Sequence, residues 1–517
     1  MRGTFPTRLA ALAVAGLLAA CTTLGPDYQE PEVSWLADWQ SDLYGQLREP
    51  QRESDMDLSF WWQVFDDTTL NGLIETARRE NPSLQIAGLR ILESRAQLGI
   101  AGSNLYPQLQ QVNGAATYID TRRNGGAVDN DDSFTNYQAG FDIGWELDFW
   151  GRFRRGVESA DAAFFASITN QQDVQVLLAA QVADLYFSYR TTHALIAIAR
   201  KNAEIQKRSL DMTERLYRGG QQSELDLQQA RTQYLTTLSS VPPLEIRLTQ
   251  TRNALATLLA RPPGDIPELA AAPKELPGVP GVSVDEIPAR LLARRPDVRT
   301  AAWQVAAQSA QIGIAEADYY PAISLLGSIG WSGTSGGGRP DSTVLGGGPA
   351  FTWNVFDHGR IADNIRLQDA RLQQTIESFQ NRVLLAAQEI DNAAVTVVKT
   401  RELQAVLVQS VAAAERSLEL ATTLYVEGYA DFSRVLDAQR SVFSQSTDEL
   451  ANRGNHISAI ISLYRALGGG WVETPIDQLI PAPTRDTLQQ RSECGDLLTA
   501  PLPVPPAGPS SNPGSSK

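Results

Sequence analysis

The chain has 517 residues, 43 % of them hydrophobic and 20 % charged, and a formal net charge of −15. So acidic a balance disfavours nucleic acid as a partner. No internal stretch reaches the ~20 consecutive apolar residues of a spanning helix, which disfavours a helical membrane domain and leaves a β-barrel open, because barrel strands are only half apolar.

The first elements are targeting signals. Arg2 and Arg8 precede an apolar run from Leu9 to Ala20, the layout of a signal peptide over 1–20. The run ends Leu18-Ala19-Ala20-Cys21, which resembles the bacterial lipobox, so Cys21 is the expected lipid attachment point. Residue 22 is Thr, which favours sorting to the outer membrane. With Cys21 lipidated, only Cys494 and three histidines remain, which argues against a disulfide framework and against a His/Cys metal site. Residues 21–65 read as an arm, with Pro26, Pro31 and Pro50, ending in Phe60-Trp61-Trp62-Gln63-Val64-Phe65-Asp66-Asp67.

A strand with two faces follows. Tyr137, Ala139, Phe141, Ile143, Trp145, Leu147 and Phe149 alternate with Gln138, Gly140, Asp142, Gly144, Glu146 and Asp148. This is the period of two of a strand with one apolar face, long enough at about 9–11 residues to cross a bilayer at a tilt. After Gly151-Arg152 the period changes: Phe153, Val157, Ala160, Phe164 and Ile168 step by three and four, as in a helix.

The event recurs. Trp145, Gly151 and Arg152 return as Trp353, Gly359 and Arg360, an offset of 208. Ahead of the strands, Gln97 to Ala101 and Tyr106-Pro107 match Gln311 to Ala315 and Tyr320-Pro321, an offset of 214. No proline falls between 108 and 241 or between 350 and 474, so very long helices are permitted. The chain therefore divides into a first repeat over 66–265, a Pro-rich linker over 266–284, a second repeat over 285–470 and a tail over 471–517. Strands are expected at about 109–120, 135–149, 322–332 and 347–356. Long helices are expected at about 153–217, 223–260, 360–426 and 431–467, with a kink at Pro242-Pro243. The turns near Gly220 and Gly428 close the two helical hairpins, and 501–517 reads as disordered.

No catalytic constellation accompanies this layout. His193, His358 and His456 read as surface or packing residues. The acidic run Asp129-Asn130-Asp131-Asp132 lacks EF-hand spacing and reads as a solvated loop. Four strands cannot close a barrel, and open edges in lipid are forbidden. If the strands are in the membrane, several chains must share one barrel.

The ordered set of motifs resembles the TolC/OprM-type outer-membrane efflux channels, in the lipoprotein (NodT-like) branch. It comprises the lipobox, Gly-Pro-Asp-Tyr at 25–28, the phrase at 61–67, Arg-Arg-Pro-Asp-Val-Arg at 294–299 and Tyr-Tyr-Pro at 319–321. Trp-Asn-Val-Phe-Asp-His-Gly-Arg at 353–360, Val-Leu-Asp-Ala-Gln-Arg at 435–440 and Leu-Tyr-Arg-Ala-Leu-Gly-Gly-Gly-Trp at 463–471 complete it. The resemblance implies a mainly α fold with membrane β, assembled as a homotrimer: a twelve-stranded β-barrel continuous with a twelve-helix periplasmic α-barrel. It implies no enzymatic activity and no cofactor. Phe141, Ile143, Trp145 and Leu147 are expected to face outer-membrane lipid. Gly220 and Gly428 are expected at adaptor-contacting tips, and the partners to be a periplasmic adaptor and an inner-membrane transporter of RND type. Ser433, Arg434, Asp437 and Arg440 are expected at the periplasmic gate, with Asp437 in an acidic ring; Ser433 and Arg434 stand where relatives carry a bulky or acidic residue. As a plain surface feature, Asp437 and Arg440 would form an exposed i, i+3 pair. The expected function is the outer-membrane channel of a tripartite pump that passively exports drugs, toxic compounds or metal ions. The alternatives are the exit duct of a type I protein secretion system and a trimeric structural surface lipoprotein.

Overall fold

The computed structural model describes residues 23–36, 39, 58–121, 132–272, 275–278, 292, 294–335, 341–492 and 494–503. Cys21, the signal peptide and most of the acidic loop lie outside them.

The phrase at 61–67 starts the ordered body. Leu58–Phe65 forms a 3₁₀ segment whose Trp61, Trp62 and Phe65 are buried. Trp61 stacks on Tyr464 with centroids 5.3 Å apart, and Phe65 lies 4.8 Å from Phe187. Asp67 then caps α1 (Thr68–Glu80), accepting from the amides of Thr69 and Leu70 at 3.0 and 3.1 Å. Its second oxygen holds Arg190 at 2.6 Å and the Tyr186 hydroxyl at 2.8 Å, so this buried carboxylate is fully paired, as burial requires. Asn81 caps α2 (Pro82–Ser103), with Pro82 at the first turn, where its missing N–H costs nothing.

Next come β1 (Leu109–Thr121), β2 (Asp132–Leu147) and α3 (Arg152–Arg218). After them run α4 (Glu224–Ser239) and α5 (Val241–Leu258). The second half has α6 (Pro296–Ala317), β3 (Ala322–Thr334), β4 (Ser342–Thr352), α7 (Arg360–Val426) and α8 (Phe432–Ala466). Both α3 and α7 have 67 residues, so each is about 100 Å long at 1.5 Å per residue. A short helix, α9 (Ala482–Arg491), lies in the tail.

The strands form one antiparallel sheet in the order β1-β2-β3-β4. Beneath it α2 packs on α3, α3 on α6 and α6 on α7. Further down α4 and α5 pack on α3, α3 on α8 and α8 on α7. A belt of buried side chains crosses the middle, including Leu73, Ile74, Tyr186, Val383, Ile390 and Ile460. Among the described residues, no helix is long and apolar enough to cross a membrane.

Several boundaries differ from the sequence expectation. The helix expected over 223–260 is two, broken at Ser240 ahead of Pro242-Pro243. The second strand runs Asp132–Leu147 instead of 135–149, because Asp148 turns aside to cap α3. The fourth strand runs Ser342–Thr352 instead of 347–356. Gly346, Gly347 and Gly348 sit inside it, opposite Ser328, Gly327 and Leu326; a ladder needs only backbone, so glycines hide the strand by removing its alternation. The tail packs on the body as far as Leu502: Ile476, Leu479 and Ile480 join Ile91, Phe164, Phe165 and Ile168, and Arg95 holds the carbonyls of Ala500 and Pro501.

Candidate functional site: an open-edged channel wall

The wall depends on two strand-to-helix switches. Gly151 and Gly359 precede α3 and α7 with φ of 76° and 90°, a left-handed conformation that glycine adopts without steric cost. A carboxylate then satisfies the orphan amides of each helix start. Asp148 accepts from Phe153 and Arg154 at 3.0 and 2.9 Å. Asp357 accepts from Gly359 and Ile361 at 3.1 and 2.8 Å. Each switch is also pinned by an indole donating to the turn between the preceding helix and the strands. Trp145 donates to the Leu105 carbonyl at 3.2 Å, and Trp353 donates to that of Tyr319 at 2.9 Å.

The sheet has two unlike faces. Phe141 is opposite Val112 and Ile329, Trp145 is opposite Leu325, and Leu147 is opposite Ile323. Leu345 and Phe351 extend the same face on β4. Phe141, Ile143, Ile329 and Leu345 are exposed in the chain, while Trp145 and Leu147 are half-buried. The other face carries Asn113, Asp142, Glu146, Ser324, Ser328 and Ser332, with the Asn113 amide donating to Asp142 at 2.5 Å. Below it Arg152 lies between Glu146 at 3.8 Å and Asp318 at 3.6 Å. So large an apolar face left bare on a soluble surface would be an interaction site.

The lower ends are two matching turns. Gly220 and Gly428 have φ of 71° and 80°. The amide of the next residue bonds back five positions, Gln221 to Leu216 at 2.9 Å and Tyr429 to Leu424 at 2.8 Å, which is a Schellman termination. The tips are tied together: the Gln222 amide donates to the Tyr425 hydroxyl at 3.0 Å, and Phe432, Val435 and Leu436 pack on Leu210, Leu227 and Ala230. Those contacts bury one face of α8 and leave Ser433, Arg434, Asp437 and Arg440 together on the exposed face. Asp437 pairs with Arg440 at 3.1 Å, while Arg440 donates to Gln233 at 2.5 Å and so ties α8 to α4.

His193 and His358 are exposed and His456 is half-buried. His193 stacks on Tyr189, His456 bonds the Thr400 hydroxyl at 2.8 Å, and His358 forms the second switch with φ of 54°. Burial, and then Arg401, depress the His456 pKa. Among the described residues, no group of His, Cys, Asp and Glu is placed to hold a metal ion. Sequence reasoning missed Arg155 and Trp150. Arg155 is buried one turn into α3, where the periodicity pointed to Phe153 and Val157; the sequence signal is an arginine in line with the buried Ser159 and Ala162.

Known proteins share this architecture. The profile of the Outer membrane efflux protein family matches residues 73–261 and 287–469. A probable outer membrane lipoprotein of Salmonella typhimurium, SilC, is 30 % identical over 490 residues, covering 91 % of this chain and all of that protein. The solvent efflux pump outer membrane protein SrpC of Pseudomonas putida is 31 % identical over 464 residues, 88 % of this chain and 96 % of that one. The solved outer-membrane channel OprN superposes with a TM-score of 0.76 at 31 % identity, over 87 % of this chain and all of that one. The chain belongs to the outer membrane efflux protein family and is an outer-membrane efflux channel.

Proposed function

We propose that three copies of the chain close into one tube that passively exports small molecules across the outer membrane. The observation that carries this reading is the pair of free edges. β2 pairs with β3 and α3 packs on α6 inside the chain, joining the two repeats. The counterpart surfaces, β4 with α7 and β1 with α2, lie at opposite edges. A four-stranded sheet with bare edges is untenable in lipid. The same contact repeated between copies removes every edge, and three copies give twelve strands over twelve helical columns. Cyclic closure of this kind uses one heterologous contact throughout.

In this assembly Phe141, Ile143, Trp145 and Leu147 face lipid, and Asp142 and Glu146 face the lumen, while Asp148, also expected there, is taken up in capping α3. Cys21 carries the lipid. The turns at Gly220 and Gly428 meet a periplasmic adaptor, which couples the tube to an inner-membrane transporter, expected of RND type. The efflux name of SrpC supports an efflux role, and the full-length match to the outer membrane lipoprotein SilC supports the lipid anchor. Ser433, Arg434, Asp437 and Arg440, exposed together on α8, line the narrow end. Acidic rings favour cations, so Asp437 sets the charge preference and Arg440 tempers it. In planar bilayers, Asp437→Ala is expected to lower the cation-to-anion permeability ratio by roughly two-fold or more. An unaltered ratio would show that Asp437 does not line the pore.

A further inference from the structure

We propose that the strand-to-helix switch of the first repeat is a docking seat for the chain's own N-terminal segment, Thr23 to Asp27, with Arg155 as its anchor. The seat fixes the level at which the N-terminus leaves the body. That this end bears lipid rests on the reading of Cys21 above.

Arg155 spends its guanidinium almost wholly on this segment. Its Nε–H donates to the Leu24 carbonyl at 2.8 Å, and its Nη2–H to the Gly25 carbonyl at 2.9 Å and to Asp27 Oδ1 at 2.8 Å. Only Nη1–H turns elsewhere, to Glu158 at 2.7 Å. The arginine side chain is 3 % exposed although Asp27 is 91 % exposed. The segment therefore covers the guanidinium and supplies three of its four hydrogen bonds, the pairing that a buried cation requires. The Leu24 amide adds a bond to the Trp150 carbonyl at 3.2 Å.

Three glycines make the seat flat. A Cβ on Gly313 would lie 2.4 Å from the Leu24 carbonyl oxygen and 2.9 Å from Arg155 Cγ. One on Gly25 would lie 2.5 Å from Gly313 Cα, and one on Gly151 2.7 Å from Thr23 Cγ2. Backbone meets backbone here as closely as glycine allows. Among the described residues of one chain, the second repeat has no such seat. Asp363 stands at the position of Arg155 and pairs with Arg366 in solvent, and Gly359 and Gly99, the counterparts of Gly151 and Gly313, are uncrowded.

The seat lies where the strands end. Trp150 stacks on Tyr320 at 4.6 Å and donates to the Pro321 carbonyl at 2.9 Å, beside the start of β3. Aromatic rings with one polar atom suit the bilayer interface. Thr23 is two residues from Cys21, a reach of about 7 Å. An acyl chain on Cys21 would therefore enter the bilayer beside this aromatic cluster.

Hydrogen exchange on the full-length oligomer in detergent tests the seat. The Leu24 amide is expected to exchange slowly, and Arg155→Ala to accelerate it about ten-fold or more while amides of the hairpin tips stay unchanged. Gly313→Ala, which keeps every guanidinium donor, is expected to do the same and serves if Arg155→Ala does not assemble. Fast exchange of Leu24 in the unmodified protein, or rates in both variants no faster than in the unmodified protein, would overturn the proposal. Palmitate labelling in parallel separates the two readings: absence of label removes the lipid at Cys21 and leaves the exchange result standing.

Discussion

The two strand-to-helix switches share one construction and differ in what covers them. Both use a left-handed glycine, a capping carboxylate and an indole bonded to a neighbouring carbonyl. The first is roofed by the N-terminal segment and backed by α6. The second is bare, with Trp353 53 %, Val355 60 % and Phe356 92 % exposed. Local backbone chemistry therefore sets the switch, and the neighbours decide whether it ends as interior or as edge. The exposed apolar residues at the second switch lie on the edge where the proposed next copy packs.

Substituting the two switch glycines breaks the comparison most sharply. Alanine in a left-handed conformation costs about 1–2 kcal/mol, and both sites incur that. Only at Gly151 does the new methyl also meet Thr23. Gly151→Ala is expected to lower the melting temperature of the oligomer at least twice as much as Gly359→Ala. Equal losses would mean that the roof over the first switch adds nothing to stability.

A smaller asymmetry lies at Asp173, whose counterpart in the second repeat is Asn381. Burial, then the nearby Asp297 and Glu389, push its carboxyl up to about 6 against the pull of Arg295 and Arg382. The folded protein then binds a proton more tightly than the unfolded chain, whose carboxyl titrates near 3.8. The ionised form is a burden above pH 6, relieved as pH falls through 6 toward 4. A two-unit shift bounds the effect at about 3 kcal/mol per chain. Asp173→Asn, which makes the first repeat resemble the second, is expected to be the more stable form at pH 7.5, with the gap closing by pH 5. A pH-independent gap would contradict this.

Legibility followed the same division. The switches were readable because hydrophobic period changes from two to 3.6 across Gly151 and Gly359, and both signals are local. The break at Ser240 was announced by Pro242-Pro243. The start of β4 was not, since three glycines carry no alternation. The anchor at Arg155 was invisible because its partners, Leu24 to Asp27, lie some 130 residues away. Gly-Pro-Asp-Tyr marked that segment without saying what it touches. At the tips, the sequence grouped Ser433, Arg434, Asp437 and Arg440 but not the bond from Arg440 to Gln233, which depends on how α4 lies against α8.

In the proposed tube the free edges of one chain are completed by two further copies. Native mass spectrometry of the detergent-solubilised protein counts them. A dominant species of three times the mass of one mature chain is expected. A dominant single-chain species, or a ring of any other number, would contradict the proposed tube.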